Sequence, residues 1–231
     1  HYGKDSDIYK QNREAMEKSI FSLVPARYLV NYFELPNVYY FSHGVNVDTL
    51  KPNDTIPIQH SLLMLANNGL GGYGSYDRKG FELGVKVAMA SNLPITIAGP
   101  KNNENWFNDN SWVFGYPKLS IITEPANKQL RQLYNSHTIF LHPSELEAGH
   151  PNLTLLEAAA CGLPILGWIE EETTFNGLWR APRDLNLLIQ GLGTIINEYD
   201  QYRQNAISTA QELSWLNRSK ELIQLYERLT N

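Results

Sequence analysis

Leu141-His142-Pro143-Ser144-Glu145-Leu146-Glu147-Ala148-Gly149-His150-Pro151-Asn152-Leu153-Thr154-Leu155-Leu156-Glu157-Ala158-Ala159-Ala160-Cys161-Gly162-Leu163-Pro164 is the stretch that decides the architecture of this chain. Its front edge closes a short apolar run, Thr138 to Leu141, that reads as a strand. Asn152 is a good helix N-cap, because its side-chain oxygen can accept from an N–H of the first turn. The helix then runs from Asn152 to Cys161. Gly162 suits the left-handed stop that ends a helix, and Pro164 cannot continue one. Pro164 to Trp168 begins the next strand. Strand, helix and strand in so short a space imply parallel pairing through a helical crossover.

The same alternation extends on both sides. Leu62 to Ala66, Pro94 to Ala98 and Leu119 to Thr123 read as strands; Lys79 to Ser91 and Asn127 to Asn135 read as helices. A polar loop with Asn102, Asn103 and Asn105 shows no period, and Pro182 to Leu229 is mostly helical. Before the alternation come a polar helix from Asp7 to Ser19, a strand from Ile20 to Val24, a helix from Ala26 to Glu34 and a β-rich Val38-Tyr39-Tyr40-Phe41. Short apolar strands alternating with helices predict an α/β fold, a parallel sheet with helices on both faces. Such a sheet binds its ligands beyond the carboxyl ends of the strands.

Composition narrows the function. The 231 residues carry 19 Lys and Arg against 24 Asp and Glu, a net charge of -5. No basic block stands out, which argues against a nucleic-acid partner. Cys161 is the one cysteine, so no internal disulfide forms. Small neighbours make it a buried residue at a helix end. No apolar run approaches a membrane span. The chain opens at His1 in helix-like sequence without a preceding strand, which leads us to expect that something has been removed. A cytoplasmic location is expected, with any membrane attachment left to the absent part.

Gly69-Leu70-Gly71-Gly72-Tyr73-Gly74 spells GxGxxG after the first strand of the alternation. A dinucleotide site also needs a helix starting within the glycines and an acidic residue about 20 positions on for the ribose. Here the helix starts near Arg78 or Lys79, and the second strand ends in Gly99-Pro100. The NAD reading therefore rests on the glycines alone. What remains is a glycine-rich loop that delivers Arg78 and Lys79 to a helix start, where backbone N–H groups also point outward. Alone, Lys79 would read as a solvated surface lysine.

Glu157 stands in a helix otherwise apolar and small, where an ionised carboxylate is costly without partners. Either it lies on the one exposed stripe, or it accepts hydrogen bonds from a bound polyol such as ribose. Glu147, on the preceding loop, can face the same cleft. His137, His142 and His150 show no metal-ligand spacing and read as core or loop residues.

Pro143-Ser144, Glu147-Ala148, Leu155-Leu156-Glu157-Ala158 and Cys161-Gly162-Leu163-Pro164 together resemble the donor-binding motif of retaining GT-B glycosyltransferases, family 4-like and also described as group 1. His43-Gly44-Val45-Asn46-Val47-Asp48, Lys79-Gly80, Gln129-Leu130-Arg131-Gln132-Leu133-Tyr134 and Ser214-Trp215 resemble further family elements, in the family's order. The resemblance implies the Rossmann-like C-terminal lobe of a GT-B fold. It implies a nucleotide-diphosphate sugar as substrate, no cofactor and no metal. Lys79 and Glu147 become the catalytic pair. The donor-binding set becomes Gly71, Gly72, Arg78, Lys79, Thr123, Glu147, Ala148, Gly149, His150, Asn152, Leu153, Thr154 and Glu157. Lys79 would meet the diphosphate, aided by the helix from Asn152 and the Thr154 hydroxyl; Glu157 would hold the ribose, and Glu147 the donor sugar.

Two departures stand out. Nine residues separate Glu147 from Glu157 where the family has seven, and Glu145 is the alternative first glutamate. Asn67 and Asn68 stand where the family often has an arginine for the diphosphate, a role Arg78 can take. The implied organisation is a remnant of the acceptor lobe in 1–40, the nucleotide-sugar lobe in 41–215 and a C-terminal helix in 216–231 that packs back toward the first lobe. The acceptor, a saccharide, lipid or protein, belongs to the missing N-terminal lobe. The alternatives are a non-catalytic nucleotide-sugar-binding module and an NAD-dependent oxidoreductase. The whole reading requires Lys79, a helix start and two carboxylates to converge on one crevice.

Overall fold

The computed structural model describes residues 3–65, 77–99, 109–123, 129–145, 151–169 and 175–230. A first layer holds helix α1 (Asp7–Glu17), strand β1 (Ser22–Val24), helix α2 (Arg27–Phe33) and strand β2 (Val38–Tyr40). The main sheet follows: β3 (Leu62–Leu65), β4 (Ile95–Ala98), β5 (Leu119–Ile122), β6 (Ile139–His142), β7 (Ile165–Gly167) and β8 (Leu178–Arg180). Its helices are α3 (Phe81–Ser91), α4 (Leu130–Asn135), α5 (Leu153–Ala160), α6 (Leu185–Asn197), α7 (Tyr199–Glu212) and α8 (Trp215–Thr230). A short 3-10 turn, Ser111–Gly115, lies ahead of β5.

The six strands are all parallel, in the order β5-β4-β3-β6-β7-β8. Side chains alternate between faces, as period-two strands require. Leu62, Met64, Ile95, Ile97, Ile139, Leu141 and Leu166 meet α3 and α6 on one face. Leu63, Phe140 and Ile165 meet α4, α5 and α7 on the other. Fully burying each Leu, Ile or Phe contributes about 1.5–3 kcal/mol, so these two cores hold the sheet between its helices.

The predicted α/β fold with a doubly covered parallel sheet is the observed one. Two differences are local. The helix after β3 begins at Phe81 rather than Lys79, because Gly80 takes a left-handed conformation (φ 73°) and turns the chain first. β8 was not foreseen: three half-buried residues on the sheet edge leave no alternating pattern.

The first layer has its own small core of Tyr9, Val24, Phe33 and Val38, with the Tyr9 and Phe33 rings stacked at 5.5 Å. Its strands β1 and β2 pair in parallel. α8 reaches it: the Phe21 and Tyr226 rings meet edge-on at 5.9 Å, and the Arg218 guanidinium lies 4.0 Å from the Phe41 ring centre. The Val45 N–H donates to Leu213 O (3.0 Å) and the Trp215 N–H to Val45 O (2.9 Å). Gly44 permits this approach, since a Cβ there would lie 2.8 Å from the Trp215 ring. Among the described residues no helix is long and apolar enough to cross a membrane.

Candidate functional site

An open parallel sheet binds ligands at its carboxyl edge where the strand order reverses. Here that point lies between the neighbours β3 and β6: the chain winds outward from β3 through β4 to β5, then returns to the other side of β3. The loops that follow these two strands touch. A Cβ at Gly80 would sit 2.6 Å from the Pro143 carbonyl oxygen, so only glycine allows the contact. The Glu145 N–H donates to Arg78 O (3.0 Å), and Arg78 Nη1 donates to Glu145 O (3.2 Å). Arg183, between β8 and α6, joins both loops. Its Nη2 donates to Asp77 O (2.9 Å) and its Nη1 pairs with Glu145 Oε2 (3.1 Å). Three loops are thus tied together at one edge of the sheet.

Asp77 caps the start of α3. Its Oδ2 accepts from the Glu82 N–H at 2.9 Å. Burial pushes its carboxyl pKa upward, and the N–H groups of Glu82, Phe81 and Gly80 pull it back. The outward-pointing N–H groups expected at this helix start are therefore engaged by the chain's own carboxylate.

At the other loop, Asn152 caps α5 as its type predicts. Its Oδ1 accepts from the Leu155 N–H (3.1 Å) and from the Thr154 hydroxyl (2.9 Å). Its Nδ2 lies 3.4 Å from Nε2 of the buried His142. The Thr154 hydroxyl, expected to donate to a ligand, donates to Asn152 instead and offers only its lone pairs. A Thr two residues after an Asn cap lies within reach of the same oxygen that accepts the helix N–H. Leu153, Thr154 and Glu157 share one stripe of α5, since residues three and four apart lie on one helix face. That stripe is half-buried to exposed, while Leu155, Leu156 and Ala158 to Ala160 are buried.

Glu157 Oε2 accepts a 2.8 Å hydrogen bond from the hydroxyl of Tyr134, a fully buried residue of α4. Burial raises the Glu157 carboxyl above its ordinary range, and the Tyr134 bond acts the other way. Burial first, and then the Glu157 charge, pushes the Tyr134 phenol well above its usual range, so it remains a donor.

Lys79 stands in the turn ahead of α3, which packs on one face of the sheet, and Glu157 stands in α5, which packs on the other. The turn that carries Lys79 meets the loop after β6 where Gly80 touches Pro143. Thr123 is exposed just beyond β5, two strands from β3. Gly71, Gly72, Glu147, Ala148, Gly149 and His150 lie outside the described residues. Glu145, the alternative first glutamate, is held by Arg183. His137 is a core residue, as read: Nε2 lies 2.7 Å from the Thr96 hydroxyl and Nδ1 2.9 Å from Leu133 O, and burial lowers its pKa. A separate groove of about 560 Å³ runs along residues 45–48 and the α7–α8 turn and includes none of the assigned donor residues. Among the described residues no cluster of three His, Cys, Asp or Glu is arranged to hold a metal ion.

Sequence reasoning missed three residues that hold the candidate side chains or their loops. Tyr134 had a signal: Leu130, Leu133 and Tyr134 form an inward i, i+3, i+4 stripe, and a buried tyrosine needs a polar partner. Asp77 had a weaker one, an acidic residue just ahead of a helix. Arg183 had none, because its partners lie far away in sequence.

Comparison with known proteins agrees with this fold. The sequence matches the family described as "Glycosyl transferases group 1" over residues 78–198, just over half of the chain. No curated protein matches it significantly. Among solved structures, it is similar to a sucrose-phosphate synthase from Thermosynechococcus elongatus, with 16% identity and a TM-score of 0.77, over 99% of this chain and 63% of that one. It is similar to a glycosyltransferase from Rickettsia africae, with 13% identity and a TM-score of 0.74, over 97% and 67%. It is also similar to the pneumococcal O-GlcNAc transferase GtfA, solved in complex with UDP and GlcNAc, with 16% identity and a TM-score of 0.72, over 97% and 48%. The chain thus spans about half to two thirds of these structures. By sequence match and by a Rossmann-like fold that corresponds to the C-terminal lobe of GT-B enzymes, this chain belongs to the group 1 glycosyltransferases.

Proposed function

We propose that this chain is the donor-binding lobe of a retaining, metal-independent glycosyltransferase that takes a sugar from a nucleotide diphosphate and passes it to an acceptor hydroxyl. The observation that carries the reading is the meeting of the Arg78-Lys79-Gly80 and Pro143-Ser144-Glu145 segments, both parts of the donor motif or its flanks, at the sheet's reversal point. The UDP held by the pneumococcal relative supports a nucleoside diphosphate as ligand.

Breaking the bond to the diphosphate makes negative charge grow on the leaving group. Positive potential already in place lowers that barrier most. Lys79 supplies a compact charge. The start of α5 adds its dipole, worth about 0.3–1 kcal/mol toward an exposed anion. Glu157 holds the ribose and Glu147 the donor sugar. The acceptor hydroxyl attacks from the face the diphosphate leaves, which keeps the anomeric configuration. A further lobe, beyond this chain, supplies the acceptor. The chain alone therefore binds donor and transfers little.

The test is a thermal-shift screen of the chain with UDP, GDP, ADP, their sugars and NAD, because a ligand that binds only the folded state raises its stability. A nucleoside diphosphate or its sugar should raise the melting temperature and NAD should not; the reverse pattern sinks the reading. A second reading, a binding module without transfer, is favoured by Asn67 and Asn68 in place of the diphosphate arginine and by the altered glutamate spacing. Donor hydrolysis by the intact parent protein separates the two.

A further inference from the structure

We propose that Tyr134 is the positioning residue for the Glu157 carboxylate, which the donor-lobe reading already assigns to the ribose. The inference rests on the donor-lobe reading and goes one residue beyond it. Glutamate has three rotatable side-chain bonds. Left to itself on a helix surface, it samples many orientations and pays entropy to meet a ligand. Here one oxygen is pinned. The Tyr134 hydroxyl donates to Oε2 at 2.8 Å, and among the described residues it is the carboxylate's side-chain hydrogen-bonding partner.

The tyrosine is itself immobile. It has no exposed surface, it stands in the last turn of α4, and its ring lies 6.0 Å from that of Phe140, the second residue of β6. Phe140 in turn stacks with His142 at 6.1 Å, and His142 reaches the α5 cap at Asn152. Rigid groups thus connect the strand, the start of the helix and the carboxylate.

A carboxylate offers about four lone-pair sites, so one bond to Tyr134 leaves capacity for two hydroxyl donors. A vicinal diol presents two such donors at a fixed spacing. The carboxylate also shares its stripe with Leu153, which is 46% exposed, so it can be approached from the amino end of α5. A merely structural role, satisfying a half-buried carboxylate, would fix the same bond but would not care which sugar the ligand carries.

The experiment titrates the full chain calorimetrically with UDP and GDP and with their 2′,3′-dideoxy counterparts. Wild type should bind a ribose form about tenfold or more tighter than its dideoxy form, the scale of hydrogen bonds to a charged acceptor. Tyr134→Phe should weaken the ribose form severalfold and leave the dideoxy form unchanged. Glu157→Gln should remove most of the discrimination, and adding Tyr134→Phe to it should cost no more. Equal loss for both sugars in Tyr134→Phe, or no loss, overturns the inference and leaves the donor reading standing. Wild-type binding that ignores the hydroxyls overturns the role of Glu157 and this inference with it. Glu157→Asp keeps the charge but is one methylene too short to serve both phenol and ribose. It decides the matter if Tyr134→Phe does not fold: discrimination should fall, and full retention overturns the inference.

Discussion

Glu157 works against the stability of the helix that carries it. α5 is otherwise Leu, Ala and Thr, and burial raises the Glu157 carboxyl above its ordinary 4.5. A carboxyl whose pKa is higher in the folded state binds its proton more tightly there than in the unfolded chain. Ionisation therefore costs stability. The cost is complete above the raised value and vanishes below 4.5. Glu157→Gln keeps an acceptor for Tyr134 and removes the charge. It should raise the melting temperature at neutral pH, because the ionisation cost is removed. That gain should fade as pH falls toward 4.5. Thermal melts of both proteins across this range check it; a gain that grows in acid would show that the carboxylate is stabilising where it stands. The same substitution should weaken donor binding, so stability and function pull apart at one side chain.

Among elements, the decisive feature is how three loops from separate parts of the sheet are tied at its carboxyl edge. Arg183 bridges Asp77 O and Glu145 Oε2 while itself leading into α6. The Arg183–Glu145 pair is partly exposed, 20% and 34%, so its direct contribution to stability is modest, about 1 kcal/mol or less. Its larger effect is on order. Arg183→Met should leave the global unfolding midpoint nearly unchanged and speed amide exchange at Glu145 and Gly80, whose N–H groups pair with Arg78 O and Asp77 O. Exchange at Ile97 in the sheet should stay slow. Unchanged protection at Glu145 would show that the backbone pairing holds without the arginine. The same edge shows why α3 starts later than its sequence suggests. Lys79 is a good helix former, yet the need for Gly80 to touch Pro143 forces a left-handed turn first.

Across the whole molecule, α8 joins the first layer to the sheet-bearing part, and Arg218 is its one buried residue. Its guanidinium lies over Phe41, its Nη1 donates to Glu221 Oε2, and its stem packs where Gly44 leaves room. A desolvated cation over an aromatic face is worth about 2 kcal/mol, and the stem adds packing. Arg218→Ala should therefore lower stability by roughly 2 kcal/mol, read as a lower urea midpoint. Exposure should begin around Phe41 while the main sheet stays folded. A midpoint equal to wild type would mean that the Phe21–Tyr226 contact and the Val45–Trp215 backbone pairing carry the junction alone.

Local sequence by itself determined most elements of the main sheet, while the roles assigned to residues at its edge came from the family resemblance. Apolar four-residue runs, the Asn152 cap and the Gly162 stop act within a few residues of themselves, so β3, β4, β6 and α5 were legible along with Glu157 as an anomaly in an apolar helix. Tertiary structure alone decided what those residues meet. Arg183 finds Glu145, Tyr134 finds Glu157, and Gly80 finds Pro143 only because the order β5-β4-β3-β6-β7-β8 brings segments remote in sequence to one edge. Hydrogen bonds and close contacts of that kind depend on distances in space, and no periodicity along the chain encodes them.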